Sequence, residues 1–590
     1  MILRASLYII AVSMVTRTKG ANPVVQTTLG PVTGLETSLL NKRLDVFYGI
    51  PYAKPPIGNL RFKRPESPEP WNETRATQTL PNCCHQTIDI SFDRSVGVEM
   101  WNPNTPMSED CLYLNVWQPK PDSSSEKLAV MVWIYGGTYS FGSITLDVYN
   151  GKYLAIRNNV VVVSMNYRIG VLGFLYLGNE RTAPGNMGLL DQSLAMKWVY
   201  DNIEQFGGDK NRITLFGESA GAASVHLHLL SEQSRDYFSN AIMQSSDALC
   251  YWAVQSRTVS IQRARRLAKS VKCPALNDDA MFKCFLQTDA RTLVTKQWQI
   301  IEYYFDVPFA PVVDGYFLAE DPQTLLKKGQ TKNCSVILGL NKDEGSYFLL
   351  YGIPKYFSPS NPIALTRDQF LDAIKTVISP IDKATVIAAI TQTYERSYLV
   401  KDLPSYRDIL DDISGDRAFK CPIIDLARIH SGLGHEVYLY SYEYRPSKLP
   451  WPEWMGVIHG SELELVFGVA TNGSDSYSAK DNETSLTMME LWSEFAKNGS
   501  GPAAWPKFSV ENQDYLEIGQ DGNLHQRQGL RHSQCTLWRE LIPVLDEYDY
   551  PPTTVDSCVS GSRKRTLNTP WFIFSCLVSF AFQIQYFLCR

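Results

Sequence analysis

An α/β fold, with one large and mostly parallel twisted sheet flanked by helices, is what this sequence predicts, on three observations. Short apolar runs such as "KLAVMVWIY", "NNVVVVSMNY", "RITLFG", "NAIMQS", "CSVILGL" and "EVYLYSYEY" are continuous and rich in β-branched residues, the pattern of strands buried on both faces. Longer helical patterns separate several of them, for instance "GLLDQSLAMKWVYDNIEQFG" from Gly188 to Gly207, and strand alternating with helix implies parallel pairing with helices on the faces. No internal repeat, low-complexity tract or linker rich in Gly, Pro or Ser divides the chain before about residue 550, so residues 21–550 form a single expected domain. Near its end, "CTLWRELIPVLDEY" from Cys535 to Tyr548 reads as an amphipathic helix.

With 590 residues, 44% of them apolar, the chain is long enough for a large core. A net charge of −5 provides no polybasic surface, which argues against nucleic acid as a partner. The first 20 residues carry Arg4, the apolar run "LYIIAVSMV" and then small and polar residues, the order of a secretory signal peptide. At the other end, residues 551–562 read as a short stalk, and residues 563–590 as a spacer, "RKRTLNTP", followed by a hydrophobic tail. With the small triplet Ser560-Gly561-Ser562 before it, this is the order of a glycosylphosphatidylinositol signal, with attachment at Ser560 and the tail removed. The rival is a transmembrane helix, which would leave Arg563-Lys564-Arg565 outside and only Arg590 inside, against the usual charge bias. A secretory chain with twelve cysteines and no C-x-x-C pair is expected to bridge them rather than bind metal. Asn72, Asn333, Asn472, Asn482 and Asn498 each begin an N-x-S/T sequon and are expected in exposed glycosylated loops.

The strongest chemical signal is "ITLFGESAGAASV", where a strand runs into Gly217-Glu218-Ser219-Ala220-Gly221 and a helix of small residues follows. G-x-S-x-G in that context is the nucleophile elbow of an α/β-hydrolase, a strained turn that exposes the serine hydroxyl at a helix N-terminus. Serine needs a base, and the base needs an orienting acid. In this fold the order is Ser, acid, His. His226 and His228 lie in the elbow helix and cannot reach back, which leaves His430, His435, His459, His525 and His532. His459, in "EWMGVIHGSELELVFG", sits where a loop would leave the core. For the acid, "CSVILGLNKDEGSYF" ends a strand with Asp343-Glu344-Gly345, and spacing alone does not choose between the two carboxylates.

The blocks "MWNPNTPMSEDCLYLNVW", "ITLDVYNGKYLA", "FGESAGAASV", "LGLNKDEGSYFLLYG" and "WPEWMGVIHGSELELVFG", in this order from about Val24 to Cys558, resemble the cholinesterases of the type B carboxylesterase family. The resemblance implies Ser219 as nucleophile, Glu344 as orienting acid and His459 as general base and acid, hydrolysing choline esters through an acyl-enzyme with no cofactor and no metal. It implies an oxyanion hole formed by the N–H groups of Gly137, Thr138 and Ala220. Trp101, Tyr347, Glu218, Trp451 and Tyr351 would hold the choline cation, for which aromatic faces are suited, and Asp89 and Trp298 match a peripheral cation site. Thr87 and Ser140 fall where vertebrate acetylcholinesterases have tyrosines, so that site would be weaker. For the acyl pocket the candidates are Trp252 and, in a loop about two residues shorter than in those relatives, Phe305, Val307 and Phe309. Val307 in place of an aromatic residue would admit larger acyl chains, while Thr138 pushes the other way. The resemblance also pairs Cys84–Cys111, Cys273–Cys284 and Cys421–Cys535, and implies a homodimer linked through Cys558. Cys83 and Cys334 have no counterpart, and Cys250 resembles a free thiol of the family.

Thr138 is the departure. In "VMVWIYGGTYSFGS" it stands where the family pattern has glycine. Its N–H survives, but a β-branched side chain adds volume and restricts the backbone, where glycine tolerates positive φ. Were positive φ required, threonine would tilt the N–H away, and one lost donor costs roughly 2.7–4 kcal/mol, about 10²–10³ in rate. Otherwise it merely crowds the acyl side. With the rest of the constellation intact, reduced but real activity is expected. A broader carboxylesterase would not need Trp101 and Tyr347. Inert adhesion relatives of this fold lack the nucleophile, whereas Ser219, Glu344 and His459 all stand here, and function lives in the site rather than the fold.

Overall fold

The computed structural model describes residues 22–120, 126–179, 182–360, 364–398, 405–473 and 476–548. The expected leader, the stalk with Cys558, the attachment site at Ser560 and the hydrophobic tail lie outside them. The site described below lies in the compact unit that ends at Asp546.

That unit is built on an eleven-stranded sheet. Its strands in chain order are β1 (Leu35–Leu39), β2 (Lys42–Pro51), β3 (Tyr113–Lys120), β4 (Leu128–Ile134), β5 (Val161–Met165), β6 (Gly208–Glu218), β7 (Asn240–Gln244), β8 (Val336–Asn341), β9 (Val437–Tyr442), β10 (Asp514–Ile518) and β11 (Leu524–Gln528). Their spatial order is β11-β10-β9-β8-β7-β6-β4-β5-β3-β2-β1. From β5 through β10 the neighbours are parallel; β3 on β5, the hairpins of β1, β2 and β3, and β11 on β10 are antiparallel. Val130 at the centre faces Val161 on one side and Ile213 on the other. Every residue of β4 and β5 is buried, as continuous apolar strands in a doubly covered sheet must be. All six apolar runs fall in this parallel centre. The flanking strands β1 and β11 are half-buried or exposed, so they carry no continuous apolar run.

The Gly188–Gly207 pattern folds as helix α1 (Met187–Asn202) and a 3₁₀ turn (Ile203–Phe206) that stops at Gly207 with φ 73°. The last helix starts earlier than expected, at His532, and contains a wider π-type turn over Leu537–Leu541 before Ile542–Tyr548. A second π-type turn, Asp416–Lys420, joins the helices Tyr406–Gly415 and Cys421–Gly432. Disulfides join Cys84–Cys111, Cys273–Cys284 and Cys421–Cys535, while Cys83, Cys250 and Cys334 are unbridged.

Asn72 and Asn333 are exposed, but two sequons are not in loops. Asn482 is half-buried in the first turn of the helix Ala479–Asn498, and Asn498 ends it. The reason is a capping box. The Asp481 N–H donates to Ser478 Oγ at 3.0 Å and the Ser478 N–H to Asp481 Oδ2 at 2.7 Å, which starts the helix ahead of Asn482. No helix among the described residues is long and apolar enough to cross a membrane.

Candidate active site

β6 runs through Glu218 directly into helix α2 (Ala220–Leu230), with Ser219 between them at φ 56° and ψ −128°. Such strain is tolerated only where the surroundings over-determine it. Here they do: a Cβ on Gly217 would lie 2.6 Å from the Gly221 carbonyl carbon, and one on Gly221 2.0 Å from the Ile134 oxygen. The Ser219 N–H donates to the Gln244 oxygen at 2.9 Å, tying the elbow to β7.

The loop after β4 lies against this turn, since a Cβ on Gly136 would meet Ser219 Cβ at 2.8 Å. The N–H groups of Ser140 and Phe141 both donate to the Gly137 oxygen, at 2.8 and 2.9 Å. No protein group among the described residues accepts the N–H of Gly137, Thr138 or Ala220. Thr138 itself stands at φ 51°, between Gly137 at 103° and Tyr139 at 55°. Positive φ at this position is therefore what the fold uses, and threonine adopts it rather than leaving it. The sequence argument tied positive φ to a tilted N–H; in the structure the cost appears instead as backbone strain, offset in part by Thr138 Oγ1 donating to the Gly137 oxygen at 2.8 Å.

The choice between Asp343 and Glu344 is geometric. Asp343 Oδ2 accepts the Val457 N–H at 2.7 Å and so closes the loop ahead of His459. Glu344 is fully buried; its Oε1 accepts the Asn341 N–H at 2.7 Å, and its Oε2 lies 2.6 Å from His459 Nδ1. Asn341 Nδ2 donates to the Ile458 oxygen at 2.9 Å, fixing the turn that carries His459. On the other side of the ring, His459 Nε2 is 3.0 Å from Glu218 Oε1, off the line of a hydrogen bond. No hydrogen bond joins it to Ser219 among the described residues. Burial alone would push the imidazole down, but the carboxylates of Glu218 and Glu344 overturn that and raise it to about 10. A third carboxylate, Glu462, accepts from Gln244 Nε2 at 2.9 Å and Asn341 Nδ2 at 2.6 Å, and burial followed by Glu218 raises it to about 7. Of the other downstream histidines, His430 and His435 pair with each other, His525 faces Asp521, and His532 faces Gln513.

A second clamp holds the acid loop from below. Lys420, 2% exposed, donates to the Lys342 oxygen at 2.5 Å and to Asp412 Oδ1 at 3.1 Å. Asp412 Oδ2 in turn takes Arg531 at 3.0 Å.

Aromatic residues surround the centre on two sides. Toward Glu218, a Cβ on Gly460 would lie 3.6 Å from Glu218 Oε1 and 3.9 Å from the Trp101 ring, so the residue after His459 brings Trp101 and Glu218 together. Tyr347 packs on Trp451 at 5.5 Å and on Tyr351 at 5.2 Å. Tyr351 donates to Asp89 Oδ2 at 2.8 Å, and Phe92, which the sequence did not single out, packs on both Tyr351 and Trp451. Trp298 stacks on Phe141 at 5.0 Å rather than on any group holding Asp89. On the other side, Phe348 and Phe419 pack on the His459 ring at 5.0 and 4.5 Å. They meet Phe305 at 4.3 and 5.3 Å, and Trp252 meets Phe305 at 5.4 Å and Phe419 at 5.9 Å. Val307 and Phe309 are buried and add no ring to this cluster. Phe419 lay far along the chain from every motif and gave no signal in the sequence. Phe348 could have been found beside Tyr347.

A serine elbow at the end of a central parallel strand, with a carboxylate-bound histidine presented beyond later strands, defines an α/β-hydrolase. Residues 21–538 match the model described as the carboxylesterase family. The acetylcholinesterase of Bungarus fasciatus is 40% identical over 529 residues, 88% of this chain and 86% of its own length. The cholinesterase of Mus musculus is 41% identical over 534 residues, 89% and 87%, and the acetylcholinesterase of Danio rerio is 40% identical over 568 residues, 88% of each. The chain belongs to the carboxylesterase family and is a carboxylic ester hydrolase.

Proposed function

We propose that the chain hydrolyses choline esters, with Ser219 as nucleophile, His459 as general base and acid, and Glu344 as the acid that orients it. The observation that carries this is the 2.6 Å contact between Glu344 and His459 Nδ1, which fixes the ring with Nε2 toward Glu218, the residue before Ser219. Ser219 Oγ attacks the ester carbonyl as its proton passes to Nε2. The developing oxyanion takes the unengaged N–H groups of Gly137, Thr138 and Ala220. Nε2 then protonates the departing choline oxygen and activates water on the acyl-enzyme. The cation rests against Trp101, with Tyr347, Trp451 and Tyr351 beyond it and Glu218 supplying negative charge. The 3.0 Å approach of the Glu218 carboxylate to Nε2 in the free protein fits this, because an arriving cation competes for that charge and frees the imidazole to turn to Ser219. Asp89 and Trp298 form an outer cation site. The names of the relatives support the substrate class. Extracellular anchoring through Ser560 and dimerisation through Cys558 belong to the same reading.

The test is hydrolysis of acetylcholine and butyrylcholine by the intact chain, with Ser219→Ala as control. Saturable activity abolished by the substitution supports the reading; none above the control overturns it.

A further inference from the structure

Glu344 and His459 meet because the turns that carry them are pinned to each other beside that contact. The Lys342 N–H donates to the Tyr442 oxygen at 3.0 Å, and the Asp343 N–H to the Val457 oxygen at 3.0 Å. The Val457 N–H returns to Asp343 Oδ2 at 2.7 Å. Val457 stands just ahead of His459, so the Asp343 side chain fixes how the histidine's loop sits over Glu344. Asp343 does this best as a carboxylate, because a hydrogen bond to an ionised acceptor is roughly twice as strong as one to a neutral group.

That charge is contested. Burial raises Asp343; the Val457 N–H, then Lys420 and Lys342, oppose it, and Asp412 adds to the rise. Asp411 lines the same small cavity, is buried, and its Oδ1 has no hydrogen-bond partner among the described residues. Burial, and after it Asp343, lifts Asp411 well above the usual carboxylate range. Two carboxyls sharing a site do not both ionise readily, and the one with a donor, Asp343, keeps the charge. On the other sides of the cavity Arg407 pairs with Asp408 at 3.3 Å. On the chain after β9, Glu443 and Arg445 also feel Asp343, and Arg445 is taken up by the Gly456 and Trp451 oxygens.

Lys420 is the leading charge that favours the ionised Asp343, and it comes from a separate element, the π-type turn Asp416–Lys420. Its arm runs past Gly415, where a Cβ would lie 3.0 Å from Lys420 Cε and 3.1 Å from Glu344 Cβ. A Cβ on Gly345 would meet the Asp411 oxygen at 2.3 Å, so the acid turn rests directly on the helix Tyr406–Gly415. At that contact Lys420 Nζ donates to the Lys342 oxygen at 2.5 Å and to Asp412 Oδ1 at 3.1 Å. Burial pulls the lysine down, but Asp412 leads the carboxylates that raise it above its usual value, and it stays charged.

We infer that Lys420 is a positioning residue for the hydrolysis: by holding the Lys342 oxygen and keeping Asp343 charged, it sets the approach of Glu344 to His459. It acts through the acid turn. The inference rests on the Ser219, His459 and Glu344 roles proposed above, and it is independent of the choline site.

The experiment measures kcat and KM of the full chain on p-nitrophenyl acetate across a range of pH, in the parent, Lys420→Met, Lys420→Arg, Asp343→Asn and Glu344→Gln. A misplacement of about 1 Å costs up to about 10²-fold in rate, so Lys420→Met should lower kcat by about 10- to 100-fold at neutral pH and leave KM nearly unchanged. Without the cation Asp343 keeps its proton to higher pH, so the deficit against the parent should be largest at acid pH and shrink as pH rises. Lys420→Arg keeps the charge and should recover most of the loss. Asp343→Asn imitates the protonated side chain and should show a deficit that does not shrink with pH. A Lys420→Met deficit equal at every pH overturns the inference, as does arginine no better than methionine. Should Lys420→Met not fold, Asp343→Asn decides, and parent kcat in that variant overturns the inference. Loss of turnover in Glu344→Gln with parent behaviour in Lys420→Met overturns this inference alone. Parent turnover in Glu344→Gln overturns the proposed triad and this inference with it.

Discussion

Replacing Thr138 with glycine separates the two ways in which threonine can act on the oxyanion hole. Threonine at φ 51° bears about 1–2 kcal/mol of left-handed strain, which glycine relieves. Against that, glycine loses more freedom on folding, about 0.5–1 kcal/mol, and the bond from Thr138 Oγ1 to the Gly137 oxygen, worth about 0.5–1.5 kcal/mol, disappears. These terms nearly cancel, so stability should change by less than about 1 kcal/mol, or about 1 °C in Tm for a unit of this size. The backbone conformation is already the one glycine would take, so the N–H is not being restored. The rise in kcat on acetylcholine should stay below about tenfold, or 1.4 kcal/mol, and phosphorylation of Ser219 by bulky dialkyl phosphoryl reagents should gain more, because the side chain is removed from their path. The assay is steady-state turnover beside the second-order rate of inactivation. A kcat rise of 10²–10³, the magnitude of a recovered oxyanion donor, would refute the reasoning; so would inactivation rates that do not change at all.

Glu218 is the leading charge that raises His459, against the lowering by burial. A base held above its usual value is protonated to higher pH, so Glu218→Gln should move the acidic limb of the kcat/KM profile to lower pH. The same pairing contributes stability that is full below pH 6.5 and is lost as pH rises toward about 10; His459→Gln should flatten urea midpoints across that window. Lys420→Met should cost about 3 kcal/mol in urea unfolding, the low end for breaking a buried pair, because Asp412 keeps Arg531. Trp101→Ala should raise KM for choline esters by about 30-fold, for a desolvated cation–π contact of about 2 kcal/mol, and leave neutral esters with the same acyl group unchanged.

The parallel centre of the sheet was legible because strands covered on both faces leave unbroken apolar runs, and the elbow because no other residues satisfy its sterics. The flanking strands were not: β11 is "LHQRQ", polar on its open side. Asp343 and Glu344 could not be separated by spacing because the chain uses both, one to close the loop at Val457 and the longer one to reach His459. The geometry of Thr138 was invisible for a related reason, since whether a β-branched residue enters the left-handed region depends on the packing around it. Phe419 and Lys420 left no trace because they act through a turn whose extra residue has no local signature. The three disulfides follow the resemblance, while the sequon at Asn482 falls inside a helix because the Ser478 cap starts it ahead of that residue.

That turn, Asp416–Lys420, presents Phe419 to the His459 ring and Lys420 to the acid loop from adjacent positions. A π-type turn carries one residue more than the α-helical count, and successive helical residues point about 100° apart. Deleting a single residue here would restore a regular helix and swing both side chains out of place together. The packing of the histidine ring and the footing of the acid loop therefore share one insertion in the chain. An indel here would disturb both at once, whereas a point substitution at Phe419 would change the packing on the histidine alone.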